Sequence, residues 1–133
     1  SMLYTSDHGE DIFDDGRHLF LHASPVPSYY QLHVPLLLWT SDSYREEYPG
    51  IEKAASMNRQ KNISSSISFF QTMMELAGIE TPYRNDSLSV TSPLYTEKSR
   101  VYLNDHNEPH SLDDIGMRKE DFEMLKKRGI DAQ

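Results

Sequence analysis

Apolar and polar positions follow no single period along this chain, and the stretches where a period does set in define the elements it predicts. Leu3-Tyr4-Thr5 is a short β-prone run that breaks at the polar Ser6-Asp7-His8-Gly9-Glu10, the pattern of a strand end followed by a loop. From Asp11 to Pro27 no period is sustained through Asp14-Asp15-Gly16, His18, His22, Pro25 and Pro27, so a long loop is predicted there. Long ordered loops are usually functional. His33-Val34-Pro35-Leu36-Leu37-Leu38-Trp39-Thr40 is apolar without alternation, as in a strand covered on both faces of an α/β sheet, with Pro35 near its start where a missing N–H does least harm.

Ser41 to Asn62 is charged, with turn signals at Tyr44, Tyr48 and Pro49-Gly50 and a short helix expected from Ile51 to Met57. The clearest helical pattern runs from Ser66 to Ala77, where Ile67, Phe70, Met73, Met74 and Ala77 recur on one face. Ser64, Ser65 or Ser66 can cap it and Gly78 can take the left-handed position after it. Thr81-Pro82 and Asn85-Asp86 read as turns, and Val101-Tyr102-Leu103 as a short strand. A last helix is predicted over Lys119–Lys127, acidic at its start and basic at its end, in the order the helix dipole favours.

Composition narrows the functional classes. The 133 residues suit one modest domain or a piece of a larger one, and at 37% hydrophobic with a mean hydropathy of −0.67 any core is small. A net charge of −8 argues against binding to a nucleic-acid backbone. Without cysteine, a metal site must be built from histidines and carboxylates. The longest apolar run, Val34 to Trp39, is far short of the ~18–20 residues of a spanning helix, and the chain opens with no signal-peptide pattern.

The chemistry concentrates at the start. A strand ending in Asp7-His8 sets a carboxylate and an imidazole side by side at a sheet edge, where α/β proteins bind ligands. Gly9 permits a tight turn, Glu10 adds an acceptor, and His22 follows on the loop with His18 between them. Imidazole and carboxylate without thiolate suit zinc or manganese better than calcium. Asp-His pairs also arise by chance. His18 taken alone reads as a surface or packing residue, His33 as a structural hydrogen-bonding group, and His106 and His110 as solvated.

The whole string is more specific. Tyr4-Thr5-Ser6-Asp7-His8-Gly9-Glu10, then Gly16, Leu21-His22 and Pro25, then Gln31-Leu32-His33-Val34-Pro35 running into Leu36-Leu37-Leu38-Trp39, resembles the sulfatase-like domain of bacterial phosphoethanolamine transferases of the alkaline phosphatase superfamily. The resemblance is dense from Leu3 to Thr40, weak over the helix after it, and absent from Thr81 onward. It implies an α/β fold, a partial alkaline-phosphatase/sulfatase-like sheet with flanking helices, incomplete in this chain. Residues 1–80 would be the carboxy-terminal part of the catalytic domain and residues 81–133 an extension with a short strand and the final helix.

The resemblance makes Asp7 and His8 ligands of a catalytic zinc, with manganese the alternative, and His22 a catalytic residue that contacts the substrate phosphate or a second metal. Glu10 would support substrate binding. The remaining acidic ligand and the nucleophilic threonine would lie upstream, so that the chain by itself is expected to be inactive. The implied reaction moves phosphoethanolamine from a phospholipid to a lipid or sugar acceptor through a covalent threonine intermediate. It implies a parent anchored in the inner membrane by an upstream spanning segment, with its catalytic domain in the periplasm, and the exposed sheet edge of this piece can pair with another copy. Ala23 stands where the family has Gly, and Asp11 where it commonly has Ser. A slightly longer loop leaves His18 as the other candidate counterpart of His22. The rival readings are a sulfatase or phosphoglycerol transferase of the same superfamily and, from another class, a non-catalytic acidic interaction domain.

Overall fold

The computed structural model describes residues 1–22, 26–103, 106 and 108–130. Along the chain they form β1 (Met2–Thr5), β2 (Asp11–Ile12), β3 (Phe20–Leu21), α1 (Tyr29–Leu32), β4 (Leu36–Trp39), α2 (Asp42–Glu47), α3 (Pro49–Asn58), α4 (Ser65–Leu76), a single 3-10 turn at Asp86–Leu88, β5 (Val101–Leu103), β6 (Pro109–Ser111) and α5 (Lys119–Lys127). This is the α/β mixture expected, and β1, β4, α4, β5 and α5 fall where the pattern predicts them. Ala23 and Pro25 lie outside the described residues.

The chain divides into two compact units that interleave along the sequence: residues 1–5 with 36–98, and residues 6–35 with 99–133. These units do not divide the chain at residue 80, where motif content set the expected boundary.

In the first unit β1 and β4 pair antiparallel, Met2 opposite Trp39 and Thr5 opposite Leu36. Because side chains alternate across a strand, Met2, Tyr4, Leu37 and Trp39 share one face, and all four are exposed. The expectation of a strand covered on both faces is therefore not met among the described residues: there β4 has one strand neighbour, and the face that carries Leu37 and Trp39 is exposed.

The helix α4 also turns out differently from its pattern. The buried positions are Ser68, Thr72 and Leu76, whereas Phe70 is 52% exposed and Met73 is exposed. Small polar side chains at four-residue spacing let the segment after the 3-10 turn approach the helix closely. Thr72 Oγ1 donates to Ser68 O at 2.7 Å and accepts from Val90 N at 3.0 Å. Glu75 accepts from the Ser89 and Thr91 hydroxyls, and buried Asn58 of α3 donates to Val90 O and Ser92 O. An orphaned buried backbone group costs about 1–3 kcal/mol, so satisfying this segment outweighs burying the apolar stripe when no partner surface is present for the stripe.

The second unit carries the hydrophobic cluster. Tyr29 of α1 packs with Leu112, Met117 and Leu125, flanked by Leu32, Phe122 and Ile130. In α5, Asp121 and Leu125 are the buried positions, one helical turn apart on the face toward α1.

Candidate functional site

After β1 the chain runs through Ser6 to Glu10 and then into the β2–β3 hairpin, which replaces the featureless loop expected from Asp11 onward. Ser6 donates to His8 O at 2.6 Å, and Asp7 Oδ1 accepts from the His8 amide at 3.1 Å, which makes a tight local turn. Gly9 is needed here for space. Its amide donates to Gln31 O at 2.8 Å, and a Cβ on it would stand 1.9 Å from Tyr30 O. The glycine read from sequence as a turn former is thus a close-approach glycine, which locks the Asp-His-Gly-Glu turn onto α1.

Asp11, the departure from the family's common serine, is buried. Its carboxylate accepts from Ser28 Oγ at 2.6 Å and from Gln31 Nε2 at 2.5 Å. Two segments of the motif string, Glu10-Asp11 and Gln31-Leu32, are joined by this carboxylate. A serine there would leave the Gln31 amide without its charged acceptor.

Across the hairpin, Leu21 pairs with Asp11 and delivers His22. His22 Nδ1 lies 2.7 Å from Glu10 Oε1, and the same oxygen is 3.8 Å from His8 Nδ1. The His8 and His22 rings lie with centroids 3.9 Å apart. Among the described residues, His8, Glu10 and His22 form a group whose ligand atoms all fall within 4.8 Å of one another. Two imidazoles and a carboxylate without thiolate form a donor set that suits zinc. An ionised carboxylate can only accept, so the short contact has His22 Nδ1 donating to Glu10 and its Nε2 left for other work.

Asp7 stands just outside this group. Its side chain is 89% exposed, and its Oδ2 is 3.8 Å from His8 Nε2, close enough for both atoms to approach one ion. A hydrogen bond from its own backbone amide, and then the neighbouring His8, hold the Asp7 carboxyl below the usual carboxylate range. His18 is held apart. It adopts a left-handed φ of 55° and its ring lies 6.5 Å from that of Phe13, so of the two candidate histidines it is His22 that meets His8.

What sequence reasoning missed is how the hairpin is held. Arg17, in the connection between β2 and β3, makes paired hydrogen bonds to Asp15 and to Asp121 of α5, the latter at 2.7 and 2.9 Å. Asp121 is 1% exposed and also accepts from the Tyr29 amide at 2.8 Å. The two carboxylates hold the Arg17 guanidinium firmly in its charged form, and Arg17 in turn holds Asp15 below the usual carboxylate range. Nothing in the spacing of residues 17 and 121 announces this contact.

Against known proteins, the family model described as Sulfatase matches residues 1–79. Phosphoethanolamine transferase EptA of Salmonella typhimurium is 32% identical over 96 residues, which cover 70% of this chain and 17% of that protein. EptA of Escherichia coli strain K12 is 34% identical over 85 residues, 62% of this chain and 15% of that protein. The crystal structure of the C-terminal periplasmic domain of EptC from Escherichia coli in complex with Zn superposes with a TM-score of 0.69 at 25% identity, covering 86% of this chain and 32% of that one. This chain therefore spans about a sixth of the length of the curated relatives it matches. No helix among the described residues is long and apolar enough to cross a membrane.

Proposed function

Because this chain belongs to the sulfatase family, we propose that it is the part of a phosphoethanolamine transferase that supplies the Asp7-His8 metal ligands and the phosphate-facing His22. The reading is carried by one observation: Glu10 takes His22 Nδ1 at 2.7 Å beside the His8 ring, so an oriented pair of imidazoles stands on a motif string of this family.

In the whole enzyme Asp7 and His8 would hold zinc together with groups outside this chain. The chemistry zinc supplies when bound is Lewis acidity toward a phosphoryl oxygen and toward the nucleophile's hydroxyl. Each residue of this chain then has a separate task. Glu10 fixes the plane of the His22 ring by accepting its Nδ1–H. His22 Nε2 faces the phosphoryl group and gives a proton to the departing oxygen. Gly9 keeps the ligand turn against α1. A threonine outside residues 1–133 takes the phosphoethanolamine group from a phospholipid and passes it to a lipid or sugar acceptor. The parent is anchored in the inner membrane with this domain in the periplasm, and the chain by itself is inactive, because a catalytic zinc site needs about three protein ligands and a reacting group.

The test uses the full-length enzyme with fluorescent phosphatidylethanolamine in detergent micelles. Wild type should release diacylglycerol and gain the mass of one phosphoethanolamine. Asp7→Ala and His8→Ala should lose both zinc and turnover, whereas His22→Ala should keep zinc and lose turnover. Loss of zinc in His22→Ala would instead make His8, Glu10 and His22 the direct ligands. Turnover of an aryl sulfate with no protein adduct would overturn the transferase reading in favour of a sulfatase.

A further inference from the structure

The hairpin that carries His22 is backbone-strained. Phe13, His18 and Leu21 all have left-handed φ angles of 64°, 55° and 64°, without being glycine, and Leu21 immediately precedes His22. Conformations of this kind persist only where surrounding contacts over-determine them. Local contacts hold it in part: Phe13 N donates to Leu19 O at 3.1 Å, His18 N to Asp15 O at 3.3 Å and Ile12 N to Asp14 Oδ2 at 2.8 Å, Gln31 Nε2 of α1 reaches Leu21 O at 3.5 Å, and the Phe13 and Phe20 rings stack in the open. The two-residue strands give the hairpin little intrinsic stability.

The strong tie comes from far along the chain. Arg17 sits within this strained segment and reaches Asp121 with two hydrogen bonds, in the fork geometry that fixes a guanidinium in both distance and plane. Asp121 cannot move to follow, because it lies at the start of α5, is almost completely buried, and receives the Tyr29 amide of α1. Below it Leu125 is buried against Tyr29. One carboxylate thus joins three elements: α5, the site hairpin, and α1, onto which the Gly9 turn is locked.

We propose that Arg17 and Asp121 are positioning residues that hold His22 against His8 and Glu10, making α5 part of the site's scaffold although it lies beyond the residues matched by the family model. The activity readout of this proposal rests on the transferase function proposed above; its structural readout does not. Arg17 and Asp121 touch neither substrate nor metal. They act by setting where the far strand of the hairpin stands, and a displacement of about 1 Å in a catalytic group is enough to cost about a hundredfold in rate.

The test uses the full-length enzyme carrying Asp121→Asn, Arg17→Gln or Arg17→Lys, with Asn58→Ala as a control that breaks a buried network of the other unit. Hydrogen exchange of the amides from Ile12 to His22 should quicken about tenfold or more in Asp121→Asn and Arg17→Gln and stay unchanged in the control. In the same variants kcat should fall about tenfold or more while KM for the phospholipid donor stays within about twofold, the signature of a lost arrangement rather than lost binding. Arg17→Lys, which keeps the charge and loses the fork, should recover part of kcat. The proposal is overturned if Asp121→Asn matches Asn58→Ala in hairpin exchange and kcat at an equal drop in melting temperature, or if exchange quickens and kcat does not move. A wild type that shows no transfer would count against the functional reading, and hydrogen exchange, which needs neither substrate nor metal, would then decide the proposal.

Discussion

Gly9→Ala should be among the most damaging small substitutions in this protein, although it adds one methyl group at a position whose φ is not left-handed. The added Cβ would lie 1.9 Å from Tyr30 O and 3.0 Å from Tyr30 C, where ordinary contact begins at 3.4 Å, so one backbone must retreat by about 1.5 Å. Neither side is a flexible side-chain end. The retreat breaks the 2.8 Å bond from Gly9 N to Gln31 O, worth about 0.5–1.5 kcal/mol, and overpacking adds about 1–3 kcal/mol, giving a total of about 1.5–4.5 kcal/mol. The larger effect is on chemistry. His8 and Glu10 flank Gly9, so the shift separates them from His22, and a misplacement of 1 Å or more lowers turnover about a hundredfold. The matched control is Gly16→Ala, where a Cβ meets nothing within 4 Å and should be tolerated in both respects. Thermal melts and donor turnover of the two full-length variants, side by side, check the reasoning. If Gly9→Ala melts and turns over like Gly16→Ala, the close approach between the ligand turn and α1 is not a feature of the folded enzyme, and the account of how the site is positioned fails with it.

Two further outcomes are expected. In this chain Thr72→Ala should cost about 1–3 kcal/mol by orphaning Val90 N, while Phe70→Ala should cost less than about 1 kcal/mol, as judged by urea melts of each; the reverse order would restore the apolar stripe of α4 as its packing face. His33, whose Nδ1 lies 2.6 Å from the Tyr29 hydroxyl, has its pKa lowered from 6.5 by burial first and then by Arg128 and Arg100. A lowered folded pKa means that the unfolded chain binds the proton more readily, so His33 contributes stability that is fully present above about pH 6.5 and lost as pH falls below it. Melting temperature followed against pH should lose part of this slope in His33→Gln, and an unchanged slope would refute the assignment.

Sequence by itself determined those parts that depend on neighbours in the chain. The extents of β1, β4, α4 and α5 follow from runs and periods of a few residues, and α5 begins and ends where its acidic and basic residues place it. The candidate site residues were nominated for a similar reason: Asp7, His8, Glu10 and His22 lie on one ordered string whose residue types admit few ligand chemistries. Tertiary structure decided everything that depends on which surface a residue meets. The stripe of α4 predicts a core face, yet Ser68 and Thr72 face inward, because a polar segment needed hydrogen-bond partners and small side chains let it come close. The run at β4 predicts cover on two sides, but periodicity records only that a face is apolar and says nothing of whether its cover lies within the same 133 residues. The hairpin brings His22 rather than His18 beside the His8 ring, and Glu10 meets His22 across it. Asp121 reads in sequence as an ordinary acidic residue at a helix start. Only folding, which brings residue 121 to residues 17 and 29, makes it the buried acceptor on which the site hairpin hangs, since a contact between distant residues leaves no local pattern in either segment.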